Sequence, residues 1–271
     1  MTPASTVAVA QFAPGADRAE NIVKVTELAE RAASRGASFV VFPEYSAYFT
    51  PTMGDDWVAA AEPLDGPFVQ ALTSLAQRLR IHVAAGMLEA TEEIGRFSNT
   101  LVAIAPTGAV VATYRKQHLY DAFGQRESDW VVPGSIGAPE TFAWEGFTVG
   151  LQTCYDIRFP EVSRRLVDAG ANLIVVPAEW VRGPLKEYHW RTLLTARAIE
   201  NTIFVAAADH APPIGVGNSM VVDPMGVELV TIGERTDVAV AHIEHARLDE
   251  VRAINPALEL RRYEVRPRDN R

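Results

Sequence analysis

Short apolar runs alternate along this chain with stretches of helical spacing, and that alternation constrains the fold more than any other feature. Val7 to Phe12, Ser38 to Phe42, Ile81 to Leu88, Ser98 to Ala105, Thr148 to Thr153, Asn172 to Val176 and Thr202 to Ala208 are such runs. Apolar runs of about 4–8 residues bounded by Gly, Pro or polar residues read as strands buried on both faces. Between the first two, Asp17 to Arg35 places Ile22, Val25, Ala29 and Ala32 at helical spacing and stops at Gly36. Further helices are expected from Pro67 to Arg80 with Asp65 as cap, from Pro160 to Ala169, from Leu185 to Asn201 and from Leu248 to Ile254. Residues 44–64, with Pro51, Gly54 and Pro63, read as irregular.

Three turns carry hairpin chemistry. Pro106-Thr107-Gly108 leads into a strand from Val110 to Tyr114, and Glu145-Gly146 separates Thr141 to Trp144 from Thr148 to Thr153. Asp223-Pro224-Met225-Gly226 joins Ser219 to Val222 with Val227 to Thr231, and Val238 to Ile243 is a last strand. Hairpins mixed with strand–helix alternation predict an α/β fold with mixed sheets covered by helices. No linker, repeat or charge run divides the chain, so one domain is expected over residues 1–271. The polar, Arg-rich stretch from Pro256 to Arg271 is a C-terminal arm, either disordered or packed.

Composition narrows the function. The 271 residues hold 34 Asp+Glu against 25 Lys+Arg, a net charge of −9. Such a balance argues against nucleic acid as a partner. With 48% hydrophobic and 22% charged residues the chain reads as globular, not disordered or fibrous. Cys154 is the one cysteine, so no internal disulfide can form and a cytoplasmic setting is expected. The N-terminal MTPASTVAVAQFAP lacks the pattern of a cleaved signal, and no run approaches the ~18 apolar residues of a membrane span. The expected partner is a small molecule.

Ligands in open α/β sheets favour the carboxyl ends of strands. Glu44 follows the strand that ends at Phe42-Pro43, Lys116 follows Tyr114-Arg115, and Cys154 follows Gln152-Thr153. Alone, each has an ordinary structural reading: a buried small hydrophobe, a solvated amine, a capping carboxylate. Together, a carboxylate, an amine and a thiol suit a cysteine hydrolase. A carboxylate can take the thiol proton and return it to a leaving group, while an ammonium favours thiolate and stabilises an oxyanion.

The motifs around these residues resemble those of the nitrilase (carbon–nitrogen hydrolase) superfamily from Val7 to about Val265. They are Phe42-Pro43-Glu44, Tyr114-Arg115-Lys116-Gln117-His118-Leu119 and Cys154-Tyr155-Asp156-Ile157-Arg158-Phe159-Pro160-Glu161. Pro177-Ala178, Ala196-Arg197-Ala198-Ile199-Glu200-Asn201 and Ser219-Met220-Val221-Val222-Asp223-Pro224-Met225-Gly226 follow in order. The resemblance implies an αββα sandwich and a homodimer or larger assembly. It also implies a triad of Glu44 as general base, Lys116 as catalytic lysine and Cys154 as nucleophile, with no cofactor and no metal. Glu127 matches a second pocket glutamate more loosely, because the loop before Pro133 varies in length. Oxyanion donors would be Lys116 and the backbone N–H of Tyr155. The run after the cysteine resembles the branch holding omega-amidases and deaminated-glutathione amidases, which favours linear amides over nitriles.

Tyr45, Trp130 and Trp180 lie beside these motifs and are candidates to line the pocket, or to pack beneath it. Arg158 and Arg182 could meet a substrate carboxylate, although for Arg158 a structural salt bridge or dimer contact is the expected role. Other classes fit poorly. Gly215-Val216-Gly217-Asn218-Ser219-Met220 lacks a dinucleotide fingerprint, no Gly-x-Ser-x-Gly elbow exists, and the histidines are not grouped as zinc ligands. N-carbamoyl hydrolysis, nitrile hydrolysis, acyl transfer and a catalytically dead scaffold remain alternatives.

Overall fold

The computed structural model describes residues 4–268. In chain order the elements are β1 (Ser5–Gln11), α1 (Arg18–Ser34), β2 (Phe39–Val41), α2 (Asp55–Ala60), α3 (Pro67–Leu79), β3 (His82–Ala90), β4 (Phe97–Ile104) and β5 (Val110–Arg115). There follow β6 (Thr141–Trp144), β7 (Phe147–Leu151), α4 (Pro160–Asp168), β8 (Leu173–Ala178), α5 (Lys186–Asn201), β9 (Phe204–Asp209), β10 (Met220–Val222), β11 (Glu228–Thr231), β12 (Asp237–Ile243) and α6 (His245–Ile254). The strands form two six-stranded mixed sheets, ordered β12-β1-β2-β3-β4-β5 and β11-β10-β9-β8-β7-β6.

Side-chain parity explains why the strands are continuously apolar. In β1, Val7 and Val9 face the space between the sheets, where they meet Phe147, Val149, Val175 and Phe204. Their neighbours Ala8 and Ala10 face α1 and α3 through Val25, Leu28, Phe68 and Leu72. In β8, Leu173 and Val175 join the central layer, while Ile174 and Val176 pack on Leu166, Trp190, Leu194 and Ala198 of α4 and α5. Every second residue therefore serves a different core, and neither face can be polar. This is the helix–sheet–sheet–helix sandwich expected from the sequence.

The departures from expectation have local causes. Residues 44–64 include α2, whose six residues bury only Trp57 and Ala60 and so carry no readable period. Trp57 stacks on Phe97 and takes edge contacts from Tyr45, Tyr48 and Phe49, closing a small aromatic cluster. The cap of α3 is Gly66, not Asp65. Glu62 Oε2 accepts from the Phe68 N–H at 2.7 Å, satisfying an orphan donor that the cap side chain would otherwise take. The C-terminal arm packs at its start: Leu258 lies against the α4–α5 core and Arg261 pairs with Asp168. Residues 269–271 of that arm lie outside the described range.

The strands deliver their carboxyl ends to one edge. β1, β2 and β3 are parallel, as are β7, β8 and β9. A parallel bridge between Phe12 and His210 ties the ends of β1 and β9 across the two sheets. Gly86 in β3 makes this edge possible. A Cβ there would come within 2.6 Å of Glu44 Cα and 2.7 Å of Tyr45 N, both backbone atoms that cannot step aside. Gly86→Ala is expected to cost about 1–3 kcal/mol in urea unfolding.

Candidate active site

At the shared edge, three segments meet over a cavity of about 260 Å³ lined by Glu44, Lys116, Glu127 and Cys154 among others. Lys116 follows β5 directly and is held to β4 by its N–H, which donates to Asn99 O at 2.9 Å. Its ammonium is 2% exposed and lies between two carboxylates. Nζ is 2.9 Å from Glu44 Oε1 and 2.9 Å from Glu127 Oε2. Burial works against the charge on Lys116, but Glu127 and Glu44 overcome it and hold the ammonium well above the ordinary lysine range.

The carboxylates are in turn fixed. Asn99 Nδ2 donates to Glu44 Oε1 at 2.6 Å and to Glu127 Oε1 at 3.1 Å. Tyr45 Oη donates to Glu127 Oε1 at 2.6 Å, and the Tyr120 N–H to Glu127 Oε2 at 2.6 Å. The Glu179 N–H donates to Glu44 Oε2 at 2.7 Å. His210 Nε2 contacts Glu44 O at 2.6 Å; burial lowers its pKa to about 4, so the ring is neutral.

Cys154 follows β7 in a short 3-10 turn, Cys154–Arg158, with φ of +46°. A left-handed conformation costs a non-glycine residue about 1–3 kcal/mol and persists only where surroundings enforce it. Asp156 supplies that enforcement. Within the turn it accepts from the Thr153 N–H at 3.2 Å. Across the site it accepts from Tyr114 Oη at 2.7 Å and from the His118 N–H at 3.0 Å. One buried carboxylate thus ties the residues on either side of Lys116 to the turn that carries Cys154. Arg197 of α5 adds a bond from Nε to Ile157 O at 3.0 Å, which accounts for an arginine inside the Ala196–Asn201 motif.

Burial and the Glu44 charge push the Cys154 thiol well above the ordinary range, outweighing the opposing pull of Lys116. The resting group is a neutral thiol, so the expectation that Lys116 favours thiolate is offset by the carboxylate. Its Sγ lies 3.6 Å from the carbonyl of Glu179.

The pocket candidates are present. Tyr45, Trp130, Tyr155 and Trp180 line the cavity. Tyr45 and Trp180 are also buried packing residues, the latter donating from Nε1 to Lys186 O at 2.8 Å. The two arginines differ from expectation. Arg182 pairs with Glu234 at 2.7 Å, on the surface. Arg158 forms no salt bridge among the described residues; its guanidinium lies over the Trp180 ring at 4.8 Å and the Tyr155 ring at 5.9 Å, because it is drawn to the aromatic wall.

Sequence reasoning missed Asn99, Glu179 and Lys186. Asn99 sits in the polar triplet Ser98-Asn99-Thr100 of an otherwise apolar strand, a visible signal. Glu179 directly follows β8, so the strand-end rule that found Glu44 also applies to it. Lys186 opens α5, and its Nζ donates to Tyr120 Oη at 2.7 Å and lies 4.1 Å from the Phe123 ring centroid. Burial, then Arg158, lowers its pKa.

Comparison with known proteins identifies the family. The family model described as carbon-nitrogen hydrolase matches residues 6–253. Deaminated glutathione amidase of Escherichia coli O157:H7 is 38% identical over 263 residues, covering 95% of this chain and 97% of the relative. The rat (Rattus norvegicus) protein of the same name is 34% identical, covering 96% of this chain and 83% of its own length. Among solved structures, the C. elegans NitFhit protein superposes with a TM-score of 0.89 at 29% identity, covering 97% of this chain and 67% of that one. An amidase of the nitrilase superfamily from Nesterenkonia AN1, solved as a mutant, gives 0.78 at 27% identity, covering 96% and 98%. With both sheets, the strand-end cluster and these similarities in agreement, the chain belongs to the carbon–nitrogen hydrolase family and is a non-peptide C–N hydrolase.

Proposed function

We propose that this enzyme hydrolyses small linear amides to a carboxylic acid and ammonia through a thioester on Cys154. The observation that carries the reading is the buried Lys116 ammonium between Glu44 and Glu127, beside a neutral thiol. Glu44 takes the thiol proton as sulfur attacks the amide carbon. The new oxyanion is held by Lys116 and the Tyr155 N–H, the first free donor after the strained cysteine. Collapse of the tetrahedral intermediate breaks the C–N bond, and the proton on Glu44 passes to the nitrogen, which departs as ammonia. Water then enters, gives a proton to Glu44, and attacks the thioester. Sulfur leaves, recovers that proton and restores the thiol. Glu127 keeps Lys116 in place through both halves.

The relatives' names support an amide over a nitrile. A structure of the Nesterenkonia amidase is described as showing covalent addition of the acetamide moiety of fluoroacetamide at the active site cysteine. Lys186 and Arg158 refine the substrate. Neither has a carboxylate ion-pair partner among the described residues, and both lie over the Trp180 ring, which lines the cavity. Two unneutralised cations favour an acyl chain that carries a carboxylate, in keeping with relatives named deaminated glutathione amidase. Exposed Ile199, Met225 and Val227, where α5 adjoins the β10–β11 turn, support the pairing of two copies. A lone cysteine suits a reducing cytoplasm.

Ammonia release from a panel of linear amides, nitriles and N-carbamoyl compounds tests the reading. Wild type should release ammonia from amides, fastest from those with a distal carboxylate, and Cys154→Ala should lower this by about 10⁴-fold or more. Release from nitriles or carbamoyl compounds alone overturns the substrate class. Lys186→Met should raise KM about tenfold for carboxylate-bearing amides, by loss of a charged contact, and leave kcat within a fewfold.

Lys116→Met should also destabilise the fold, by about 3–5 kcal/mol, because it leaves two carboxylates facing each other without a counter-charge. Adding Glu127→Gln should restore part of that stability but not turnover. Thermal unfolding and initial rates on the three proteins separate the two effects.

A further inference from the structure

The mechanism above leaves two carboxylates on the cavity wall without a task, and of these Asp129 is exposed and paired with Arg126 whereas Glu179 has no ion-pair partner among the described residues. Its backbone is fully employed at the reacting centre: the N–H donates to Glu44 Oε2 and the carbonyl faces Cys154 Sγ. Its side chain lines the cavity, yet Oε1 is buried with no hydrogen-bond partner. A buried, unpartnered carboxyl oxygen is costly, and one that persists beside a reaction centre calls for an explanation. No lysine or arginine lies within ion-pair distance of it among the described residues.

The groups facing Glu179 set its state. The charged and titratable groups near it are Glu44, Glu127, Lys116, Cys154, Lys186, Tyr120 and, at the end of β9, Asp209. Burial and then the Glu44 charge raise its pKa well above the ordinary carboxylate range, with Lys116 opposing. A neutral carboxyl carries one O–H donor and a carbonyl acceptor, unlike the acceptor-only carboxylates of Glu44 and Glu127.

Its place selects what it can touch. The scissile carbonyl is claimed by Cys154, Lys116 and the Tyr155 N–H, and the leaving nitrogen by Glu44. Glu179 lines the same cavity as that cluster and Lys186, which leaves the acyl portion of a bound amide as the part its carboxyl can meet. We infer that Glu179 is a specificity-determining residue, a neutral carboxylic acid that donates a hydrogen bond to an oxygen acceptor on the acyl chain close to the scissile carbonyl. This rests on the amidase reading and goes beyond it by naming the acyl chemistry that the inner wall selects: hydroxy- or oxo-substituted acyl groups over plain alkyl ones.

The test is the ratio of kcat/KM for 2-hydroxypropanamide to that for propanamide, two amides that differ by one oxygen, measured from pH 6 to 10. The ratio cancels effects on the triad common to both substrates. In wild type it should favour the hydroxy amide by about tenfold near neutrality, the worth of one hydrogen bond in a desolvated site. It should decline as pH rises and Glu179 loses its proton. Glu179→Gln keeps a donor and cannot ionise, so the preference should persist and become independent of pH. Glu179→Ala should bring the ratio to near one at every pH. Equal ratios in wild type, Glu179→Gln and Glu179→Ala overturn the inference while leaving the amidase reading intact. Hydrolysis of neither amide by wild type, together with silence across the wider amide panel, overturns both. If Glu179→Ala fails to fold, the wild-type and Glu179→Gln pH profiles decide alone: coincident profiles overturn the inference.

Discussion

The ammonium of Lys116, buried between two carboxylates, is the interaction on which the rest of the site depends. Removing such ions from water costs several kcal/mol each, and mutual attraction offsets this only with good geometry and full hydrogen bonding. Here Asn99, Tyr45, the Tyr120 N–H and the Glu179 N–H supply those bonds. The donors come from β4, from the loops after β2 and β5, and from the end of β8. Two carboxylates for one ammonium leave an excess of negative charge. Burial, and after it the Glu44 charge, push both the nearby Cys154 thiol and the Glu179 carboxyl above their ordinary ranges.

A site of this kind cannot be built on mobile loops. Asp156 solves the problem for Cys154, since a single buried carboxylate accepts from the cysteine turn and from both flanks of Lys116. Gly86 solves it for Glu44 by letting the backbone of Glu44 and Tyr45 lie directly on β3. Tyr45 and Cys154 both adopt left-handed backbone conformations, with φ of +56° and +46°. Strain at the residues that flank or perform the chemistry is therefore held by contacts to rigid strands.

Much of the fold was legible because central strands such as β1, β2, β8 and β9 are buried and apolar on both faces and the long helices show a buried stripe. α2 was not, because six residues around Trp57 make less than two turns, too few to show a period. The cap of α3 was misplaced because its orphan N–H is satisfied from Glu62, a neighbour that local propensity cannot foresee. Arg158 was expected to make a structural salt bridge or a dimer contact; it makes no salt bridge among the described residues and lies instead against the rings of Trp180 and Tyr155. Glu179 obeyed the strand-end rule that singled out Glu44, but nothing in its flanking residues separates a cavity-lining carboxylate from a solvated one.

By itself, the amino-acid order determined the layered architecture and the family, and it singled out Glu44, Lys116 and Cys154 as candidates. Those follow from periodicity and motif order, which are local or serial properties. Only the tertiary structure decided which charges share a desolvated space, and hence that Asn99, Asp156 and Glu179 belong with them. The reason is physical: hydrogen-bond partners and dielectric surroundings arise when β2, β4, β5, β7 and β8 bring their ends to one edge, and no window of sequence contains that juxtaposition.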